Sequence, residues 1–178
     1  MAPILIRIAT EKDMDAVQQI YADEVLNGSA SFELDPPDRA EIERRWRTVL
    51  EAGLPYFVAE HAHKVAGYAY AAPYRPRPAY RYTVENSVYV DRSSRGQGIG
   101  LALLEQLIEA CRASGARQMI GIIGDSENHA SIGLHERAGF RKIGVLADVG
   151  WKFGRWLDSV VMQRALESDA RPPQGEGR

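Results

Sequence analysis

The segment Arg95-Gly96-Gln97-Gly98-Ile99-Gly100 carries the clearest chemistry in this chain. It follows the apolar run Ser87-Val88-Tyr89-Val90 and leads into the helical pattern Leu101-Ala102-Leu103-Leu104-Glu105-Gln106-Leu107-Ile108. Three glycines let the backbone curl so that successive N–H groups face one concavity, and a helix start adds partial positive charge. Such a nest suits a pyrophosphate, and Arg95 at its mouth offers a planar, charged donor fork. Two rival phosphate motifs fail here. A dinucleotide fingerprint needs glycine at the first, third and sixth positions, but counting from Gly96 the sixth residue is Leu101, and from Gly98 it is Leu103. A P-loop needs Gly-Lys before Ser or Thr, and the chain has no Gly-Lys pair.

What remains, Arg-x-x-Gly-x-Gly between a strand and a helix, resembles the acyl-coenzyme A loop of the GNAT acetyltransferase superfamily, Gln/Arg-x-x-Gly-x-Gly/Ala. A second match lies downstream in Glu127-Asn128-His129-Ala130-Ser131-Ile132-Gly133-Leu134-His135-Glu136-Arg137-Ala138-Gly139-Phe140. The superfamily's second cofactor segment reads Asn, a helix with Leu-Tyr or Leu-His, then Gly-Phe opening a strand. Thr83-Val84-Glu85-Asn86-Ser87-Val88-Tyr89-Val90 and Lys152-Phe153-Gly154-Arg155-Trp156-Leu157-Asp158 look like the phosphinothricin and methionine sulfoximine N-acetyltransferase branch. The resemblance spans residues 4–166.

Acetylation of an amine needs a pyrophosphate cradle, a grip on the pantetheine arm, a base for the amine proton and donors for the developing oxyanion. The resemblance implies acetyl-coenzyme A as co-substrate, held by Arg95, Gly96, Gln97, Gly98, Ile99, Gly100 and Leu101. Pantetheine carries amides and can pair with a strand edge as an added strand would; Val88, Tyr89 and Val90 lead straight into the loop, which favours that role over a plain core strand. Asn128 and Ser131 can pair with the pantetheine, or Asn128 is an ordinary helix-start residue.

Glu85 sits in an otherwise apolar and aromatic strand. By residue type alone it is as well a solvated charge as a base; the resemblance implies the general base, a role that a raised pKa in a partly apolar cleft would suit. His135 stands where the superfamily commonly has tyrosine, near the leaving sulfur. A thiol's reference pKa of about 8.5 leaves such an acid little to contribute, and a satisfied buried histidine is the alternative. Arg75, Arg77 and Arg81 precede the Glu85 strand and either anchor an acidic group of the substrate in a bidentate fork or are solvated loop arginines. The substrate set implied by the resemblance adds Phe32, Asn86 and Ser87, with Val149 to Lys152 as a further wall.

The elements that must position these groups are legible in outline. Residues 4–9 read as a strand. Thr10 and Asp13 form a capping-box pair before Met14, Val17, Ile20, Tyr21 and Val25 at helical spacing, and Asn27-Gly28-Ser29 ends that helix. Asp35-Pro36-Pro37-Asp38 opens another, to about Ala52 with Gly53 as its stop. Residues 56–60 and 65–72 read as a strand pair turning at 61–64. A proline-stiffened loop at 75–78 precedes a strand over 80–90. A helix, a strand (118–123), a helix (128–138) and strands over 140–145 and 158–163 follow. The order predicts an α/β (α+β) domain over 1–166 with helices on both faces of a mixed sheet. The resemblance makes that sheet mostly antiparallel, about six to seven strands, splayed between the fourth and fifth. Residues 167–178, rich in Pro, Gly and charge, are expected to be disordered.

A chain of 178 residues with a formal net charge of −2 fits one domain and gives no basis for a nucleic-acid partner. A single cysteine, Cys111, falls on a helix's apolar face and reads as core rather than nucleophile. No signal-like or membrane-spanning run is evident, so a cytoplasmic protein is expected. His61, His63, His129 and His135 lack the neighbours a metal site needs, and no Gly-x-Ser-x-Gly elbow is present. The reading is an acetyl-coenzyme A-dependent N-acetyltransferase acting on the α-amine of a small amino-acid-like compound: phosphinothricin, methionine sulfoximine or methionine sulfone. An acetyltransferase of a protein N-terminus, polyamine or aminoglycoside is one alternative, and a non-catalytic acyl-coenzyme A sensor another. Branch resemblance and the aromatic segment 151–156 predict a homodimer.

Overall fold

The computed structural model describes residues 3–167; of the predicted tail only Glu167 falls within them. Seven strands form one sheet in the order β1-β2-β3-β4-β5-β7-β6: β1 (Leu5–Ile8), β2 (Tyr56–His61), β3 (Lys64–Pro73), β4 (Thr83–Val90), β5 (Gln118–Gly124), β6 (Arg141–Lys152) and β7 (Arg155–Ala165). The helices are α1 (Met14–Asn27), α2 (Arg39–Glu51), α3 (Ile99–Ala113) and α4 (His129–Arg137). All strand pairs are antiparallel except β4 with β5.

Alternation along β2 and β3 explains why helices cover both faces. Phe57, Ala59, Ala69 and Ala71 point to one side, where they meet Leu103, Leu104, Leu107 and Ile108 of α3. Tyr56, Val58 and Tyr68 point to the other, against Met14, Val17 and Ile20 of α1 and Ile42 and Val49 of α2. The alanines let α3 lie close to the sheet, and each of Leu103, Leu104 and Leu107, buried completely, contributes about 1.5–3 kcal/mol. Cys111 is part of this layer, where burial pushes its thiol up to about 12; at neutral pH it is an inert thiol.

Local signals hold at the element ends. The Thr10 amide donates to the Asp13 carboxylate at 2.7 Å, and Asp38 caps α2 by accepting from the Glu41 amide at 2.8 Å. The β2–β3 hairpin turns on Ala62 and His63, both at positive φ, as a two-residue loop requires.

Two expectations need correction. The fourth strand starts at Thr83 rather than near Tyr80, because Pro78–Tyr80 forms a 3-10 turn. The last two strands are far longer than the predicted 140–145 and 158–163. They form one hairpin in which Gly150, Trp151 and Lys152 pair with Leu157, Trp156 and Arg155. A register shift between Leu146 and Gly150 breaks the alternation by which a strand is read, and most of β6 is exposed.

Pairing of β4 with β5 runs only from Thr83–Gln118 to Asn86–Gly121. Beyond that point Ser87–Val90 still pair with β3 and Ile122–Gly124 with β7. The sheet therefore opens between β4 and β5, leaving one backbone edge of each strand without a strand partner.

Candidate active site

Immediately after β4 the chain reaches the glycine loop. Gly96 and Gly98 have φ of 75° and 85°, and Gly98 caps α3 in the left-handed conformation. A Cβ on Gly98 would meet nothing within 4 Å, so backbone angle rather than space demands glycine there. The first helical bond of α3 runs from the Ala102 amide to the Gly98 carbonyl. The N–H groups of Ile99, Gly100 and Leu101 thus have no carbonyl one turn back. These donors, on a loop exposed from Gly96 to Gly98, fit a pyrophosphate. Behind them Val88, Val90 and Leu101 pack on the α3 core.

Arg95 takes a different place from the one its position suggests. Its Nη2 donates to Glu24 at 2.9 Å and its Nε to the Val90 carbonyl at 3.2 Å. It ties the loop to α1 and presents only the rest of its fork outward.

The opening between β4 and β5 holds a cavity of about 420 Å³. β4 contributes Glu85 to Tyr89, β5 contributes Ile122 to Gly124, and α4 contributes Ser131 and His135. Ala30, Ser31, Phe32 and Glu33, from the α1–α2 connection, close a further side. Glu85 is half-buried; burial raises its pKa above the ordinary carboxylate value, opposed by the charge of Arg75.

At the branch point, the Asn86 side chain bridges the two strands. Its Nδ2 donates to the Ile120 carbonyl at 3.0 Å, which directs Oδ1 toward His135 Nε2, also at 3.0 Å. The other ring nitrogen of His135 lies 2.8 Å from the Ser131 carbonyl. Burial lowers the His135 pKa, opposed by that carbonyl, so the neutral ring has one proton for two oxygen neighbours. Gly121 makes room for the pair: a Cβ there would lie 2.9 Å from His135 Cδ2 and 3.3 Å from Asn86 Nδ2. Asn128 caps α4, with Oδ1 accepting from the Ser131 amide at 3.2 Å. Its side chain is occupied in starting the helix, and Ser131 is the member of that pair on the cavity wall.

The three arginines do not gather in the cleft: none is among the residues lining it. The guanidinium of Arg81 lies over the Tyr82 ring at 4.7 Å and donates to the Pro78 carbonyl at 3.1 Å. Arg77 is exposed ahead of the 3-10 turn. Arg75 lies over Tyr74 at 5.1 Å, and its charge is felt at Glu85.

Sequence reading missed Tyr21, Ser31 and Glu33. The Tyr21 hydroxyl is 2.9 Å from both Ser31 Oγ and Glu33 Oε1, and Arg45 pairs with Glu33 at 2.6 Å. Burial and Glu33 push the Tyr21 phenol up to about 12, so it is a donor at neutral pH. Tyr21 follows helical core spacing, and no local signal marks it as a wall residue. Among the described residues there is no group of three or more His, Cys, Asp or Glu side chains able to hold a metal ion, and no helix long and apolar enough to cross a membrane.

A family model described as Acetyltransferase (GNAT) family matches residues 14–140. The chain belongs to the GNAT acetyltransferase family. It is 52% identical over 163 residues to a phosphinothricin N-acetyltransferase of Alcaligenes faecalis, covering 92% of this chain and 83% of that protein. It is 43% identical over 169 residues to an L-methionine sulfoximine/L-methionine sulfone acetyltransferase of Pseudomonas aeruginosa, covering 94% of this chain and 98% of the other. The crystal structure of a GNAT superfamily phosphinothricin acetyltransferase from Sinorhizobium meliloti, in complex with AcCoA, superposes with a TM-score of 0.92 at 42% identity, covering 97% of this chain and 94% of that one. This GNAT enzyme is thus an N-acetyltransferase with acetyl-coenzyme A as co-substrate, and its opened sheet is the architecture expected of that family.

Proposed function

We propose that this enzyme acetylates the α-amine of a small amino-acid-like compound of the phosphinothricin, methionine sulfoximine or methionine sulfone type, by direct attack with Glu85 as general base. The observation that carries the reading is Glu85 itself: a half-buried carboxyl of raised pKa on the wall of the cleft that opens where β4 leaves β5. Bound acetyl-coenzyme A supplies an activated acetyl thioester. The glycine-loop N–H groups hold its pyrophosphate, and the free edge of β4 over Val88–Val90 holds the amides of its arm. A backbone N–H on that edge faces developing negative charge on the carbonyl oxygen.

An ammonium has no lone pair to donate, so Glu85 takes its proton, directly or through water, before attack. Desolvation brings the carboxyl closer to the amine in proton affinity, which favours that transfer. His135 has both ring nitrogens engaged within the fold. In this reading it therefore holds Asn86 rather than serving as the general acid; the departing thiolate takes its proton from solvent. Phe32, Ser87 and the Tyr21 hydroxyl contact the substrate.

Arg75 is the arginine of the 75–81 cluster assigned to pair with the substrate's acidic group, since its charge is felt at Glu85. A second reading has one specific support: Glu33 and Glu85 both line the cleft, as a polyamine or aminoglycoside site would require, though Arg45 offsets Glu33. A thiol-release assay over phosphinothricin, methionine sulfone, a polyamine and a plain alkylamine separates the two. We expect the first two to be preferred and Arg75→Ala to raise KM for them alone. Preference for the polyamine would reject the amino-acid reading.

The exposed side chains of Leu146, Val149, Trp151, Phe153 and Trp156 make the β6–β7 hairpin an apolar surface of the kind a second copy covers. A homodimer through this face completes the proposal.

A further inference from the structure

The connection between α1 and α2 carries Ser31 and Phe32 to the cleft, yet from Gly28 to Asp38 it has no helix or strand of its own. Its shape is imposed from outside. Lys152, near the tip of the β6–β7 hairpin, is only 4% exposed. Its Nζ donates to the Gly28 carbonyl at 2.9 Å and to the Ser31 carbonyl at 2.7 Å. From the other side the buried carboxylate of Glu24 accepts from the Ala30 amide at 2.9 Å through Oε1, while its Oε2 receives Arg95. Phe32 then lies across two glycines, Gly124 of β5 and Gly150 of β6, the strands on either side of β7. A Cβ on Gly150 would come within 2.4 Å of Phe32 Cε2, and one on Gly124 within 2.9 Å of Cε1.

A buried ammonium is costly because it gives up strong hydration, and an apolar side chain would fill the same space without that cost. What the ammonium adds is two charge-assisted bonds to carbonyls three residues apart on a segment with no helix or strand ladder of its own. Glu24 and Glu33 lend it longer-range attraction. The contacts thus join the hairpin, the cleft wall and, through Glu24 and Arg95, the mouth of the cofactor loop.

We propose that Lys152 is a positioning residue for the amine substrate: its ammonium pins Gly28 and Ser31 so that Phe32 is held over Gly124 and Gly150 as a fixed wall of the cleft. The inference rests on the reading that the amine occupies this cleft. Lys152 touches neither reactant; it acts through the α1–α2 connection, so its loss loosens substrate fit while leaving the glycine loop and Glu85 in place.

The test is a double-mutant cycle on the full chain, using Lys152→Met, Phe32→Ala and the combination, with phosphinothricin and acetyl-coenzyme A as varied substrates and melting temperature recorded. Lys152→Met is expected to raise KM for phosphinothricin about tenfold, with kcat and KM for acetyl-coenzyme A changed less than about threefold. The double variant is expected to be no worse than Phe32→Ala alone, because both remove the same wall. Should Lys152→Met not fold, Lys152→Gln, which keeps one neutral donor, is read by the same criteria, with a KM rise of about threefold expected. An unchanged amine KM in whichever Lys152 variant folds, beside a raised KM in Phe32→Ala, overturns the positioning role alone. Parallel losses in kcat and both KM values, additive with Phe32→Ala, show a merely structural lysine and overturn it too. An unchanged amine KM in Phe32→Ala removes Phe32 from the substrate site, a failure of the underlying reading and distinct from the other two.

Discussion

Replacing Glu85 by glutamine gives the sharpest test of the chemistry, because activity and stability should move in opposite directions. Glutamine keeps the size and planarity of the side chain and abolishes its basicity. A positioned general base is worth roughly 10²–10⁴ in rate, or about 2.7–5.4 kcal/mol of barrier at 1.36 kcal/mol per decade. kcat should fall by that factor, with acetyl-coenzyme A affinity intact.

Stability follows from the raised pKa. A carboxyl whose folded pKa lies above its unfolded value stabilises the fold below the unfolded pKa and loses that contribution as pH rises through the folded one. At pH 7 the ionised group is therefore a burden on the fold, and Glu85→Gln should leave the melting temperature equal or higher. The acid limb that Glu85 sets in the kcat/KM profile should lie above the ordinary Glu value of about 4.3 in the parent and give way in the variant to the ionisation of the amine itself. The deficit should also shrink at high pH, where free amine is present without a base. Steady-state kinetics from pH 5 to 10, with thermal denaturation alongside, reads all of this. A variant with near-full kcat at pH 7, or one whose kcat falls only as fast as its melting temperature, refutes the assignment.

Gly98→Val should weaken acetyl-coenzyme A binding at least tenfold by calorimetry, about 1.4 kcal/mol; Gly98→Asn should lose less, since asparagine tolerates the left-handed region and the site has space for a side chain. Equal losses in the two would show that space rather than backbone angle matters. Gly121→Ala should push the His135 ring off Asn86, at a cost of about 2–4 kcal/mol from overpacking and a strained hydrogen bond, lowering the melting temperature by several degrees and kcat with it; an unperturbed variant would mean the branch point needs no such pair. Light scattering at micromolar concentration should give twice the monomer mass, and Trp151→Glu should abolish it. A monomeric parent rejects the proposed dimer.

Much of the fold was legible because its signals are local. Thr10 with Asp13, Asp38, the helical spacing of α1 and α3, and the glycines ahead of Ile99 act within one turn of the chain, where backbone angles and nearest side chains settle the outcome. The glycine loop belongs to that class: its donors are main-chain groups, placed by φ at Gly96 and Gly98. The walls of the cleft do not. Asn86 meets His135 from 49 residues away and Lys152 reaches Ser31 across 121. Tyr21, spaced as a core residue, turns its hydroxyl to Ser31 at the cavity, while Arg81, just ahead of β4 in sequence, folds back on its own loop. The long hairpin that delivers Lys152 was hidden by a shift of register between Leu146 and Gly150. Spacing along the chain says which residues share a strand or a helix face. Which of those faces meet, and which side chains turn into the gap between β4 and β5, depends on pairing register and packing among segments far apart in sequence, and only the assembled sheet decides it.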